Sequence, residues 1–155
     1  MPLVAVAVTV FVLDQLTKWW AEVALGDGQV IDVVWTLRFR LIHNTGSAFS
    51  LGEGQGVWIS LAALGAVALL VRSGRRTRDP WTLLALGLIV GGAFGNLVDR
   101  AFRVGEGVMG GGVVDFIDFQ WWPVFNVADM GVVGGAILLV VASCRNEQLI
   151  DSGDR

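Results

Sequence analysis

Cysteine and histidine are almost missing from this chain: Cys144 and His43 are the only examples among 155 residues. A lone thiol makes no intrachain disulfide and no metal–thiolate cluster. One imidazole, with no H-E-x-x-H motif and no His/carboxylate cluster around it, leaves a catalytic zinc ion short of ligands, and His43 reads as a loop residue. Ser47 and Ser50 lack a G-x-S-x-G setting, which removes a common serine-nucleophile arrangement. The formal net charge is only −3, with the positive charge gathered in one short loop, so no nucleic-acid surface is expected.

What is present is apolar. Hydrophobic residues make up 54% of the chain and the mean hydropathy is +0.65, above the balance of a soluble domain. Runs near the ~20 residues that cross a bilayer recur at about 2–24, 54–71, 81–100 and 123–144. The expected fold class is membrane α-helical, with four transmembrane helices in one integral-membrane unit over residues 1–155. The first run could pass for a secretory leader, but it lacks a basic n-region and carries Asp14 and Lys18, so it is expected to remain as a helix. Trp19, Trp20, Trp58, Trp81, Trp121 and Trp122 fall near span ends, where indole favours the interface. Arg72, Arg75, Arg76 and Arg78 share the loop "RSGRRTRDP", which the positive-inside rule assigns to the cytoplasm together with both termini.

By subtraction, the segments from about Leu25 to Gly56 and from about Arg103 to Trp122 face outward. In the first, Trp35 to His43 alternates with strand period, and "GGVVDFIDF" at 111–119 is its natural partner, so a small sheet is expected on the outer surface. Gly105, Gly107, Gly110, Gly111 and Gly112 make the approach to the second strand a flexible loop. Gly87, Gly91 and Gly95, and Gly131 with Gly135, recur at spacing four and predict close helix packing. The polar tail "RNEQLIDSGDR" is expected to fray.

Polar groups inside the spans need partners: Asp14, Gln15 and Lys18 on the first, Asn96, Asp99 and Arg100 on the third, Asn126 and Asp129 on the fourth. Asp14 and Lys18, four apart on one helical face, read as an ion pair. Asp99 and Arg100 are adjacent, point apart and need separate partners, for Arg100 a lipid phosphate or a backbone carbonyl. Asp129 has no basic residue on its helix before Arg145 and needs a proton or a partner across the bundle. Asp115 lies in a greasy strand, and two carboxylates brought together share one proton, giving an acid and a base near neutral pH. That is aspartic-protease chemistry, but ion-pair bracing and a proton relay in a small transporter use the same residues. Strand alternation lets only one of Asp115 and Asp118 face such a site, without saying which.

Five blocks, "DQLTKWW" at 14–20, "NTGSAFS" at 44–50, "GGAFGNLVDR" at 91–100, "GGVVDFIDF" at 111–119 and "FNVADM" at 125–130, occur in register over nearly the whole chain. In these residues the sequence closely resembles the lipoprotein signal peptidases, or signal peptidase II, an integral-membrane aspartic protease family of bacteria. The resemblance implies four membrane helices with a small periplasmic-side sheet and a short outer helix or loop. It implies removal of signal peptides from diacylglyceryl-modified prolipoproteins, with cleavage before the lipidated cysteine and no metal or organic cofactor. It puts the catalytic aspartates at Asp115 and Asp129, with supporting or substrate-contacting roles for Asp14, Lys18, Asn44, Gly46, Asn96, Asp99, Arg100, Asn126 and Ala128. The expected setting is the bacterial inner membrane, with both termini cytoplasmic, the active site near the outer face, membrane lipids as neighbours and the chain a monomer. One departure is Met130, where many relatives carry a small polar residue, and another is the Gly-rich "RVGEGVMGGG" rim.

Overall fold

The computed structural model describes residues 2–45, 55–74, 77–104 and 109–153. Gly46, Ser47, Ser50, Arg75, Arg76, Gly105 and Gly107 lie outside the described residues. The elements are the helices α1 (Pro2–Leu25), α2 (Gln55–Gly74), α3 (Pro80–Phe102) and α4 (Val127–Gly153), and the strands β1 (Val30–Val34), β2 (Leu37–Asn44) and β3 (Val113–Asp118). Leu3–Leu25, Pro80–Phe102 and Val127–Arg145 are each long and apolar enough to cross a membrane, whereas the apolar stretch of α2, Ser60–Arg72, is shorter. Outward faces are greasy: Val4, Val8, Leu16 and Val23 of α1 and Val133, Ile137 and Val140 of α4 are exposed, while Asp14, Lys18 and Asp99 are buried. This inversion of the water-soluble pattern is what a bilayer solvent requires.

Helix α3 is the centre of the bundle, and small residues let its neighbours approach. A Cβ added at Gly91 would lie 2.5 Å from the Ala7 carbonyl oxygen of α1, and one at Gly95 would lie 2.4 Å from Asp14 Oδ2. On another face, a Cβ at Gly92 would lie 2.2 Å from the Ala128 carbonyl oxygen of α4, and one at Gly135 would lie 2.7 Å from that of Ala85. The glycine spacing thus serves two helix contacts, as expected. Asp79 caps the start of α3, its Oδ2 accepting from the Thr82 N–H at 2.7 Å, and Pro80 follows where no helical N–H is needed. At the same end Arg145 of α4 pairs with Asp79 at 3.2 Å and stacks over Trp81, joining α3 to α4 far from the sheet.

The sheet is antiparallel with order β1-β2-β3. The expected pairing of the two outer segments is present, with Phe39 opposite Ile117 and Ile42 opposite Asp115. Strand β1 was not anticipated, although its Val-Ile-Asp-Val-Val run is β-branched. It displaces the start of β2: Trp35 and Thr36 form the connecting turn, Trp35 with φ 53, and β2 begins at Leu37. His43, read as a loop residue, belongs to β2 and sits opposite Val114. The sheet docks on the end of α1 through Ala21, Leu25, Val114 and Phe116, with Trp20 edge-on to Phe39 at 5.4 Å.

A bulge between Phe39 and Ile42 of β2 shifts the pairing by one residue. Uninterrupted alternation would leave Arg38, Arg40, Ile42 and Asn44 on one face. The extra residue reverses the face, so that Arg38 and Arg40 meet Asp118 while Asn44 turns to Asp115. Two further expectations are corrected. Gly111 and Gly112 are buried rather than part of a flexible approach: a Cβ at Gly111 would strike the Asp99 carbonyl at 2.5 Å, and its N–H caps α3 on the Arg100 carbonyl. Helix α4 also runs on to Gly153 through the tail expected to fray.

Candidate active site

Beyond β3 the chain returns to it, and Phe125 bridges Ile117 through backbone hydrogen bonds of 2.9 and 3.1 Å. The next residue, Asn126, is thereby held beside the strand just as α4 begins. An α-helix starts with unpaired N–H groups, and here side-chain oxygens take three of them. Asp14 Oδ1 accepts from the Ala128 N–H at 2.9 Å, and Asn126 Oδ1 accepts from the Asp129 N–H at 2.9 Å. The Asn126 carbonyl accepts from the Met130 N–H at 3.3 Å, the first hydrogen bond of the helix itself. In return Asp129 Oδ2 accepts from the Asn126 N–H at 3.2 Å, completing a capping box with asparagine and aspartate in its two places. Asp129 is therefore held by the start of its own helix, where the helix dipole favours a carboxylate.

The Asn126 side chain reaches the other aspartate. Its Nδ2 lies 2.7 Å from Asp115 Oδ1, 3.1 Å from Asn96 Oδ1 and 3.3 Å from the Val114 carbonyl. Asn44 Nδ2 donates to Asp115 Oδ2 at 3.0 Å, and Asn96 Nδ2 donates to Asp129 Oδ1 at 2.9 Å. Asp115 is 3% exposed. Burial raises its pKa to about 6: the Asn44 hydrogen bond opposes that, the nearby Asp129 charge adds to it, and Asn126 opposes it again. Asp118 lies on the opposite face, buried between Arg38 and Arg40 at 2.9 and 3.1 Å. Burial pushes its carboxyl up, but the Gln120 N–H and the two guanidiniums outweigh it, and its pKa ends below the usual value.

Behind the pair is a buried ion cluster. Lys18 Nζ lies 2.8 Å from Asp14 Oδ2, 2.7 Å from Asp99 Oδ2 and 2.9 Å from Asn96 Oδ1. Asp99 also accepts from Arg103 Nε at 2.8 Å and from the Val114 N–H at 3.3 Å, which ties β3 to α3. Arg103 in turn pairs with Glu22. Sequence reasoning named Asp14, Lys18 and Asp99 but missed Arg103 and Glu22, although Asp99 and Arg103 carry the same i,i+4 signal as Asp14 and Lys18.

Two cavities open on Asp129. One of about 350 Å³ lies between α2, α3 and α4, with Asn96 and Arg100 beside Asp129 and an otherwise apolar wall including Ala63, Val67 and Val132. Arg100 is buried, and neither its Nη1 nor Ser60 Oγ in the same cavity has a hydrogen-bond partner among the described residues. The other, of about 360 Å³, runs along the outer side of α4 past Trp122, Phe125, Met130, Val133 and Ile137. Met130 therefore faces that groove. Of the expected site residues, Asp14, Lys18, Asn44, Asn96, Asp99, Asn126, Ala128, Asp115 and Asp129 are joined in one contact network. Arg100 borders it, and Gly46 lies outside the described residues.

Membrane-length helices, a capping sheet and a carboxylate that opens on two cavities mark a multi-pass membrane protein. The model of the family described as signal peptidase (SPase) II matches residues 6–145, and the chain belongs to that family. The lipoprotein signal peptidase of Mycobacterium tuberculosis (strain ATCC 25618 / H37Rv) is 49% identical over 142 residues, 91% of this chain and 70% of the relative. That of Rhodococcus jostii (strain RHA1) is 49% identical over 140 residues, 90% of this chain and 70% of the relative. A bacterial membrane enzyme structure obtained by the in meso method at 2.3 Å resolution superposes with a TM-score of 0.79 at 26% identity. It matches 94% of this chain and 88% of its own.

Proposed function

We propose that Asp115 and Asp129 are the two carboxyls of an aspartic peptidase, with which this member of the signal peptidase II family removes signal peptides from prolipoproteins. The observation that carries the assignment is Asn126, a single residue hydrogen-bonded to both carboxylates. In the reaction, the ionised carboxylate takes a proton from a water whose oxygen attacks the scissile carbonyl carbon, while the protonated carboxyl donates to the carbonyl oxygen. The tetrahedral species then collapses with C–N cleavage, and the amine leaves with a proton from the pair. The raised pKa of Asp115 supports its role as the proton carrier at rest.

The substrate in this reading is a prolipoprotein whose cysteine already bears diacylglycerol, cut before that cysteine. Its acyl chains stay in the bilayer, so the scissile bond is presented at the depth of the first turn of α4. In this reading α2, at 20 residues, is the fourth span. The arginine loop and both termini are cytoplasmic, and the sheet and the Asp115–Asp129 pair face the periplasmic side of the inner membrane. The chain works as a single monomeric unit among membrane lipids, and the family's supporting roles fall on the network around Asn126. The transporter or proton-relay reading loses ground because Asp14 and Asp99 are committed to Lys18. Incubating the purified protein with a diacylglyceryl prolipoprotein tests the proposal: two products should form, and Asp115→Asn and Asp129→Asn should abolish them without unfolding the protein.

A further inference from the structure

Lys18 is fully buried and offers its ammonium to three acceptors, the carboxylates of Asp14 and Asp99 and the side-chain oxygen of Asn96. An ammonium has three N–H donors, and with one taken by each carboxylate the buried Lys18 directs its third at Asn96 Oδ1. An ammonium only donates, and Asn96 must therefore meet it with oxygen. The other end of that amide, Nδ2, is consequently turned to Asp129 Oδ1 at 2.9 Å. An asparagine amide is nearly symmetric in shape, so packing does not choose its direction; the partner does. Reversed, it would set a carbonyl against the carboxylate.

The same polarity runs through Asn126. The Asp129 backbone N–H claims its Oδ1, which turns the two N–H groups of Nδ2 toward Asp115 Oδ1, Asn96 Oδ1 and the Val114 carbonyl, with Asp115 the shortest contact at 2.7 Å. The Lys18 ammonium, the Asp129 N–H and the Val114 carbonyl have fixed roles, and the amide protons between them converge on the two aspartates. We propose that Lys18, which touches neither aspartate of the pair, is a positioning residue of the reaction: through Asn96 it holds an N–H against Asp129. This rests on Asp115 and Asp129 being the reacting pair. The groups facing the ammonium are Asp14 from its own helix and Asp99 and Asn96 from α3, with Arg103 on the far oxygen of Asp99.

The test compares three variants of the full chain in detergent micelles, acting on a diacylglyceryl prolipoprotein. Lys18→Met combined with Asp14→Asn removes one charge of each sign, and the amide at position 14 keeps an oxygen for the Ala128 N–H. It should fold and keep KM within about threefold, while kcat falls about tenfold or more, the scale set by misalignment at a reacting group. Asn96→Asp keeps an oxygen for Lys18 and removes only the donor to Asp129. It should lose about tenfold or more in kcat at neutral pH and regain part of it as pH falls, when the introduced carboxyl is protonated and donates again. Full kcat in either folded variant overturns the proposal, and if the double variant does not fold, Asn96→Asp decides alone. Asp129→Asn separates the two readings. Full activity there removes the aspartic pair itself, whereas its inactivity beside a fully active double variant removes only the role of Lys18.

Discussion

At the scale of single residues, Asp115 and Asp118 are three positions apart on one strand and end in opposite chemical states. Asp118 meets two guanidiniums and a backbone N–H, whereas the hydrogen bonds to Asp115 come from the neutral amides of Asn44 and Asn126, with the charges of Asp129 and Lys18 acting on it at a distance. Their functional difference is therefore testable with one substitution: Asp118→Asn should lower the melting temperature by a few degrees, ~1 kcal/mol, and leave kcat within about twofold of the parent. The raised pKa of Asp115 carries a second consequence. The folded state binds this proton more tightly than the unfolded chain, so its contribution to stability is full below the ordinary aspartate value of 3.8. It is lost as pH rises to about 6, which amounts to roughly 3 kcal/mol for the isolated group. Thermal unfolding from pH 4 to 7 should show that fall in the parent and a smaller one in Asp115→Asn. Residue chemistry was legible where partners sit four apart on one helix, as with Asp14 and Lys18. It was not legible for Asp115 against Asp118, because their environments are made by β2 and α4, distant in sequence.

At the scale of elements, the site depends on how α4 begins and how β2 bends. The Asn126–Asp129 capping box makes the first turn of α4 and the setting of one carboxylate the same structure. Asn126→Ala should cost about 1 kcal/mol of stability as a lost cap, and its loss of activity should be far larger than Asp118→Asn produces. Asn126→Ser, which restores the cap without the Nδ2 donor, should recover melting temperature but not kcat. The glycine faces of α3 are equally specific: Gly92→Val drives a branched side chain into the Ala128 carbonyl, and overpacking of this kind costs about 1–3 kcal/mol. Detergent-solubilised Gly92→Val should melt lower and show reduced activity, since Ala128 is the neighbour of Asp129. The spacing of Gly87, Gly91 and Gly95 and of Gly131 and Gly135 announced close helix packing, though not the part of Gly92, and strand alternation announced the pairing of β2 with β3. The bulge and β1 left no clear alternation to read. A bulge reverses faces by one inserted residue, so the turn of Asn44 toward Asp115 follows only from the observed register.

At the scale of the whole molecule, the charges are divided. Asp79 and Arg145 tie α3 to α4 at one end, and the aspartate pair lies at the other under the sheet. The proposed topology makes the first end cytoplasmic. Cys144 is exposed and free, so a membrane-impermeant thiol reagent should label it in inverted vesicles and not in intact spheroplasts. In a Cys144→Ser background, Trp35→Cys in the exposed β1–β2 turn should give the reverse pattern. Three of the four expected spans and the greasy surface were legible because bilayer solvation writes itself along the chain in long runs, whereas the apolar stretch of α2 is shorter. The convergence of α1, α3, β3 and α4 on one network was not legible, since no local pattern encodes which helices touch. The central claim is that this network serves an aspartic pair that cleaves lipidated precursors. The most direct measurement is the rate at which purified, folded Asp129→Asn converts a diacylglyceryl prolipoprotein into signal peptide and lipoprotein, set beside the parent. A rate lower by about a thousandfold or more is predicted, on the scale of losing a general acid–base partner; a rate within about twofold of the parent would contradict the account.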